Sequence, residues 1–241
     1  MSNSALTLKN VFAGYGGGMV LQGLDLEVRK GSITCIVGPN GAGKSTVFRV
    51  ISGLLKASEG DVLLAGQSIK SLSPAEILHN GVTQVPQSRA LFPEMSVKEN
   101  ILMGGYLIRK NPKLLKERMA MVEEMIPIVR ERVNQPAGHL SGGQRRMVEI
   151  ARTLVLDPSL ILMDEPSLGL DPKSVALVAE LIQRMTKDGR TVLLIEQNVR
   201  LGMYLANDGV VMEAGKVRIS APAKDIAGDP EVASMYLGKT K

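Results

Sequence analysis

The sequence predicts an α/β fold: a core on a mainly parallel sheet, an antiparallel β region at the amino end and an inserted helical region. Three observations carry that expectation. Ile33-Thr34-Cys35-Ile36-Val37, Leu160-Ile161-Leu162-Met163 and Thr191-Val192-Leu193-Leu194-Ile195 are almost continuously apolar, as strands covered on both faces must be. Leu6-Thr7-Leu8 and Leu24-Asp25-Leu26-Glu27-Val28 alternate instead, the pattern of antiparallel strands with one wet face. From about Ser96 to Arg132 the pattern is helical throughout, rich in Lys, Arg, Glu and Met, with no strand in it. Buried parallel strands separated by helices define an α/β core.

Composition narrows the class further. A chain of 241 residues with 44% hydrophobic content can bury a sizeable core, which excludes disorder for most of it. The net charge of +5 admits an acidic ligand or an anionic surface without choosing between them. With aromatics at 3% and no Trp, a base-stacking platform is disfavoured, so no nucleic-acid partner is expected. Cys35 lies inside an apolar run and reads as a buried, inert thiol, in keeping with a reducing cytoplasm. Residues 1–10 lack the marks of a secretory signal, and no apolar stretch approaches the roughly 18 residues of a membrane span, so the protein is expected to be soluble even where it works at a membrane. His79 and His139 show no metal-ligand spacing.

Caps mark the helices. Ser96 with Glu99 forms a capping box, Asp171-Pro172 and Asp229-Pro230 pair an N-cap with proline at the first helical position, and Gly189 and Gly238 fall where helix-ending glycines belong.

The chemistry begins where the first apolar strand runs into Gly38-Pro39-Asn40-Gly41-Ala42-Gly43-Lys44-Ser45, with Thr46 continuing into helical sequence. This is the P-loop pattern in its required context. Glycines let backbone N–H groups turn inward as a cradle, the helix adds its positive end, Lys44 reaches the β and γ phosphates, and the Ser45 hydroxyl ligates magnesium. Gly14-Tyr15-Gly16 lacks the third glycine of a dinucleotide fingerprint. The strand ending at Met163 presents Asp164 and Glu165 at its carboxyl end, where open parallel sheets bind ligands. Asp164 is suited to hold the metal, and Glu165 to orient and deprotonate the attacking water. Leu140-Ser141-Gly142-Gly143-Gln144 precedes a second helical run, Arg145 to Leu156, and offers another hydroxyl and more N–H groups at a helix start.

Taken in this order, the P-loop, the LSGGQ pentapeptide and Asp164-Glu165 resemble the ATP-binding cassette family, from about Leu6 to Gly238. The resemblance implies ATP and Mg2+ as ligands. It also implies a head-to-tail pair in which the signature loop of one subunit, here Ser141, Gly142, Gly143 and Gln144, closes over the γ-phosphate held by the other. Tyr15 matches the aromatic that stacks on adenine, and Gln87 the glutamine that contacts magnesium and the attacking water. Gln84 suits that role less because it falls before Pro86. Asp171 looks like the loop that crosses the dimer interface, although a plain N-cap explains it too. The implied organisation is one nucleotide-binding domain over 1–241, with an ATPase core at 1–88 and 147–220, a helical signature subdomain at 89–146 and a helical tail at 221–241.

One position departs from the family pattern. Where most cassettes place a switch histidine, this chain reads Glu196-Gln197-Asn198, and the amide of Gln197 can donate a hydrogen bond but cannot become a cation. The run Glu196 to Arg200, the Ser-Leu-Gly-Leu loop and the ending from Asp229 to Gly238 are most similar to one of the two ATPases of branched-chain amino acid importers. That likeness implies a second ATPase subunit, as a heterodimer or else a homodimer, two integral membrane permease subunits, a periplasmic or extracellular substrate-binding protein, and a peripheral place on the cytoplasmic face of the inner membrane. Urea or amide importers, a lipopolysaccharide exporter and non-transport cassettes are the alternatives. Met95, Met103, Met119, Met121 and Met125 fit either core packing or an adaptable groove for a membrane subunit.

Overall fold

The computed structural model describes residues 3–87 and 90–229. In chain order its elements are β1 (Ser4–Tyr15), β2 (Gly18–Arg29), β3 (Ile33–Val37), α1 (Lys44–Ile51), β4 (Glu59–Leu64), β5 (Gln67–Ser68), α2 (Pro74–His79), β6 (Val82–Val85), α3 (Val97–Gly104), α4 (Pro112–Met125), α5 (Pro127–Glu131), α6 (Gly142–Leu154), β7 (Leu160–Asp164), α7 (Pro172–Lys187), β8 (Thr191–Ile195), α8 (Val199–Leu205), β9 (Asp208–Glu213), β10 (Lys216–Pro222) and α9 (Ala223–Ala227). The strands form an antiparallel sheet, order β2-β1-β4-β5, and a six-stranded sheet, order β10-β9-β3-β8-β7-β6. In the second sheet β9, β3, β8, β7 and β6 run parallel and only β10 is antiparallel. The expected α/β core and amino-terminal antiparallel sheet are both present.

The apolar runs became strands for the reason their composition gives. Every residue of β3, β7 and β8 is buried, whereas β1 alternates buried and half-exposed positions along most of its length. One apolar cluster packs the parallel sheet against the helices from α3 onward, and a second fills the space between the two sheets around Phe48 of α1. Cys35 is buried in the first, where burial pushes its thiol pKa far up and makes it inert.

The helical run is interrupted where the sequence says it should be. A short 3-10 turn at Tyr106–Ile108 follows Gly105, and prolines open α4 and α5. Ser96 and Glu99 form the expected capping box, and Gly189, with φ of 89°, ends α7. The helix after the signature begins at Gly142, earlier than the expected Arg145, because Ser141 and Gln144 close a capping box around its first turn. Met119 and Met125 are core residues while Met103 is 48% exposed. The helix start read at Asp229-Pro230, the glycine at 238 and the tail from 230 onward fall at the edge of or outside the described residues. Among those described, no helix is long and apolar enough to cross a membrane.

Candidate active site

The strand order brings four of the predicted sites to one edge. Moving across the sheet from β3, the carboxyl ends of β3, β8, β7 and β6 carry in turn the glycine-rich loop, Gln197, the Asp164-Glu165 pair and Gln87. These are the ends at which open parallel sheets hold ligands.

The glycine-rich loop is shaped by the backbone. Gly41 and Gly43 have φ of 83° and 98°, a region that glycine enters without steric cost. A Cβ on Gly38 would lie 2.4 Å from the carbonyl oxygen of Met212, so β9 packs directly against the loop. Gly43 is the N-cap of α1 and supplies no side-chain acceptor, which leaves the first N–H groups of the helix for an anion. Lys44 turns inward, its Nζ donating to the carbonyls of Gly38 (2.6 Å) and Pro39 (3.0 Å). Burial lowers its pKa, and the negative charges of Glu165 and Asp164 oppose that shift. Ser45 and Gly41 are exposed, and a Cβ on Gly41 would meet no atom within 4 Å, so the concave side can take a phosphate. Thr46 is buried behind them.

Asp164 closes β7, and both it and Glu165 are buried. Glu165 has φ of 47°, a left-handed conformation costly for a residue with a side chain, and its N–H is pinned to the Ile195 carbonyl at 2.9 Å. Both oxygens of its carboxylate are held: Gln87 Nε2 donates to Oε2 at 2.5 Å, and Gln197 Nε2 donates to Oε1 at 2.8 Å. Residues 78 and 32 positions away in the chain thus meet on one carboxylate. Burial, then the like charge of Glu165, raises the pKa of Asp164, against the opposite pull of Lys44, Arg146 and a hydrogen bond from Ser45. The Ser45 hydroxyl beside the Asp164 carboxylate is a hard oxygen donor set of the kind magnesium takes, completed by phosphate oxygens rather than a protein cage. No cluster of three or more His, Cys, Asp or Glu suited to a metal occurs among the described residues.

The remaining predicted residues lie on other elements. Tyr15, 44% exposed, ends β1 and accepts a hydrogen bond from Arg49 of α1 at 3.2 Å, which places it beside the helix of the glycine-rich loop. Ser141 and Gly142 are exposed at the start of α6, where the Ser141 hydroxyl accepts from the Gln144 N–H at 3.2 Å and the Gln144 side chain accepts from the Ser141 N–H at 3.0 Å. Gly143 is buried, and a Cβ there would strike Ser174 Oγ at 2.1 Å. Asp171 caps α7 through the N–H groups of Lys173 and Ser174 and the Ser174 hydroxyl, and the hydrogen bonds from Ser174 hold its carboxyl below the usual range. Gln84 lies within β6, opposite Leu162.

Sequence reasoning missed two groups. Glu196 is 2% exposed; its Oε1 accepts the Ser167 N–H at 3.2 Å, and burial raises its pKa. Its position directly after a wholly buried strand was the available signal. Arg146 and Glu149 form a buried ion pair at 2.9 Å on α6, which sequence alone reads as an ordinary charged helix face.

A cradle for phosphates on one strand, with a held carboxylate two strands away, is the working arrangement of a P-loop ATPase, and this chain is one. The family model described as ABC transporter matches residues 21–168, more than half of the chain, and the chain belongs to that family. It is 35% identical over 97% of its length, and 99% of the relative's, to the high-affinity branched-chain amino acid transport ATP-binding protein BraG of Pseudomonas aeruginosa. It is 34% identical to the lipopolysaccharide export system ATP-binding protein LptB of Haemophilus influenzae, with 98% of each chain covered. Among solved structures, the ADP conformation of an ATP-binding cassette of an ABC transporter matches with a TM-score of 0.88 and 31% identity over 99% of this chain and all of that one.

Proposed function

We propose that this chain is the ATP-hydrolysing subunit of an importer for branched-chain or related amino acids, working with a second ATPase subunit, two membrane permease subunits and a substrate-binding protein. The observation that supports the chemistry best is the Glu165 carboxylate held between the amides of Gln87 and Gln197. Lys44 exchanges the carbonyls of Gly38 and Pro39 for the β and γ phosphates, while the N–H groups of Gly41 and of Gly43 to Thr46 take the remaining phosphate oxygens. Glu165 accepts a proton from the attacking water, and Gln87 holds both that carboxylate and the water in line. Ser45, Asp164 and Gln87 would hold magnesium, which would neutralise charge on the phosphates as ADP leaves. Tyr15 offers its ring to the adenine.

The exposed Ser141 and Gly142 serve a second nucleotide. The capping box takes the N–H groups of Ser141 and Gln144 and leaves that of Gly142 at the start of α6, so the signature of each subunit covers the triphosphate of its neighbour. The helical segment 89–146 carries that signature and meets the membrane subunits from the cytoplasmic face. Gln197 in place of a histidine favours a heterodimer in which the partner supplies the histidine at one site.

The amino acid assignment rests on the relatives, and the lipopolysaccharide exporter is nearly as similar in sequence. Vesicles holding the chain with the membrane proteins that stay attached to it on isolation separate the two readings. ATP turnover should rise when a leucine-loaded binding protein is added from outside. A rise with lipopolysaccharide, and none with the loaded binding protein, overturns the importer reading.

A further inference from the structure

Arg146 lies on α6, five residues beyond Ser141 and 6% exposed. Its guanidinium reaches four oxygens. Nη1 donates to the carbonyl of Pro86 at 2.8 Å and to Glu149 Oε2 at 2.9 Å, Nε to the carbonyl of Pro166 at 3.2 Å, and Nη2 to the carbonyl of Asp164 at 3.2 Å. Pro86 immediately precedes Gln87, while Asp164 and Pro166 flank Glu165. One buried cation therefore grips the backbone on both sides of the Gln87–Glu165 contact. The same helix also holds the far end of the Gln87 loop. Glu149 Oε1 accepts the N–H of Ala90 at 3.1 Å, and Arg152 donates to the Ala90 carbonyl at 2.6 Å.

An ion pair with Glu149 alone would satisfy a charge buried for packing. The three carbonyls exceed that need, and they come from the two segments that carry Gln87 and Glu165. A planar fork with five donors in fixed directions can serve these four acceptors at once, whereas a lysine ammonium has three donors.

We infer that Arg146 is a positioning residue for ATP hydrolysis: it sets the approach of Gln87 to Glu165 and ties that pair to the helix that starts at Ser141. A shift of α6, such as engagement of its exposed start by a neighbour's nucleotide would produce, is transmitted through the guanidinium to the base. This inference rests on Glu165 being the base.

The test compares the full chain with Arg146→Lys, Gln87→Ala, the double variant and Glu165→Gln, reading kcat and KM for ATP, the affinity for a fluorescent ATP analogue and thermal stability. Arg146→Lys keeps the charge and loses the fork, so kcat should fall roughly tenfold or more while KM and analogue affinity stay within about twofold. The double variant should lose less than the product of the single losses, because both changes act on one contact. If Arg146→Lys restores full kcat, the residue is only a buried counter-charge and the inference is overturned. It is equally overturned if kcat falls only in step with the folded fraction. Should the lysine variant not fold, Arg146→Gln with Glu149→Gln leaves no lone buried charge and is read by the same split. A Glu165→Gln chain that still turns over ATP sinks the base assignment instead, and is recognised independently of Arg146.

Discussion

The turn before Lys44 and the turn before Gly142 both bring a helix start to a place where phosphate can bind, yet they are finished differently. The first is closed by its own residues: Lys44 is buried and bonded to Gly38 and Pro39, and the carboxylates of Asp164 and Glu165 stand close enough to oppose the shift of its pKa. In the second, Arg145 is turned back onto the Leu140 carbonyl at 2.9 Å, and Ser141 and Gly142 are exposed, the Ser141 hydroxyl being spent on a capping box with Gln144. A loop with its own counter-charges can hold a triphosphate alone. A capped helix start whose arginine is held on its own carbonyl gains from an anion only when another molecule brings one.

The largest test of that contrast is Glu165→Gln. Turnover should fall by ~10²–10⁴, the usual worth of a general base, while ATP remains bound and a two-subunit, ATP-loaded form accumulates. Gel filtration with ATP and magnesium reads it, and an unchanged monomer peak breaks the idea that the outward turn waits for a neighbour's nucleotide.

Lys44→Ala comes next. It removes the one ammonium inside the first loop and should weaken binding of a fluorescent ATP analogue by about a hundredfold. No comparable loss should follow any single change at the second turn in the isolated chain.

Within the second turn, adjacent glycines should part company. A Cβ on Gly143 collides with Ser174 Oγ at 2.1 Å, whereas one on Gly142 comes no nearer than 3.9 Å to Leu170. Gly143→Ala should therefore destabilise by about 1–3 kcal/mol, the usual cost of overpacking, and lower the melting midpoint by several degrees. Gly142→Ala should leave the midpoint nearly unchanged and show itself only in the turnover of the assembled pair.

The smallest effect concerns Glu196. Burial raises its pKa above the ordinary 4.5, so its ionised form weighs on the folded state. That burden is absent below the ordinary value and grows as pH rises through the raised one. Glu196→Gln keeps an acceptor for the Ser167 N–H and removes the charge. Its gain in melting midpoint should be larger at about pH 7.5 than at about pH 4.5, and an equal gain at both would show that the carboxyl ionises without strain.

What the sequence disclosed is what local pattern controls. Ile33 to Val37 running into glycines, Leu160 to Met163 running into two acids, and the caps at Ser96 and Asp171 each depend on residues a few positions apart, and each is found as expected. The parallel strands β6 and β9 were not anticipated, since Val82 to Val85 is too short to announce itself and Val210-Val211-Met212 gives only a brief apolar run. The meeting of Gln87 and Gln197 on Glu165 was out of reach for a different reason. It is fixed by strand order, and nothing local to either glutamine reports which strand lies beside it. Arg146 was hidden more deeply, because a charged residue on an amphipathic helix normally faces water and only the packed fold shows this one turned inward.

The φ of 47° at Glu165 bears on how such a chain would lose its activity. Most side chains tolerate that torsion poorly, while asparagine and glycine accept it readily. Drift to either residue at this position would relax the kink at the end of β7 as it removes the proton acceptor, leaving a sturdier protein that still grips nucleotide. Inactive descendants of this fold would thus be reached downhill in folding energy, and only selection for turnover keeps the strained carboxylate where it is.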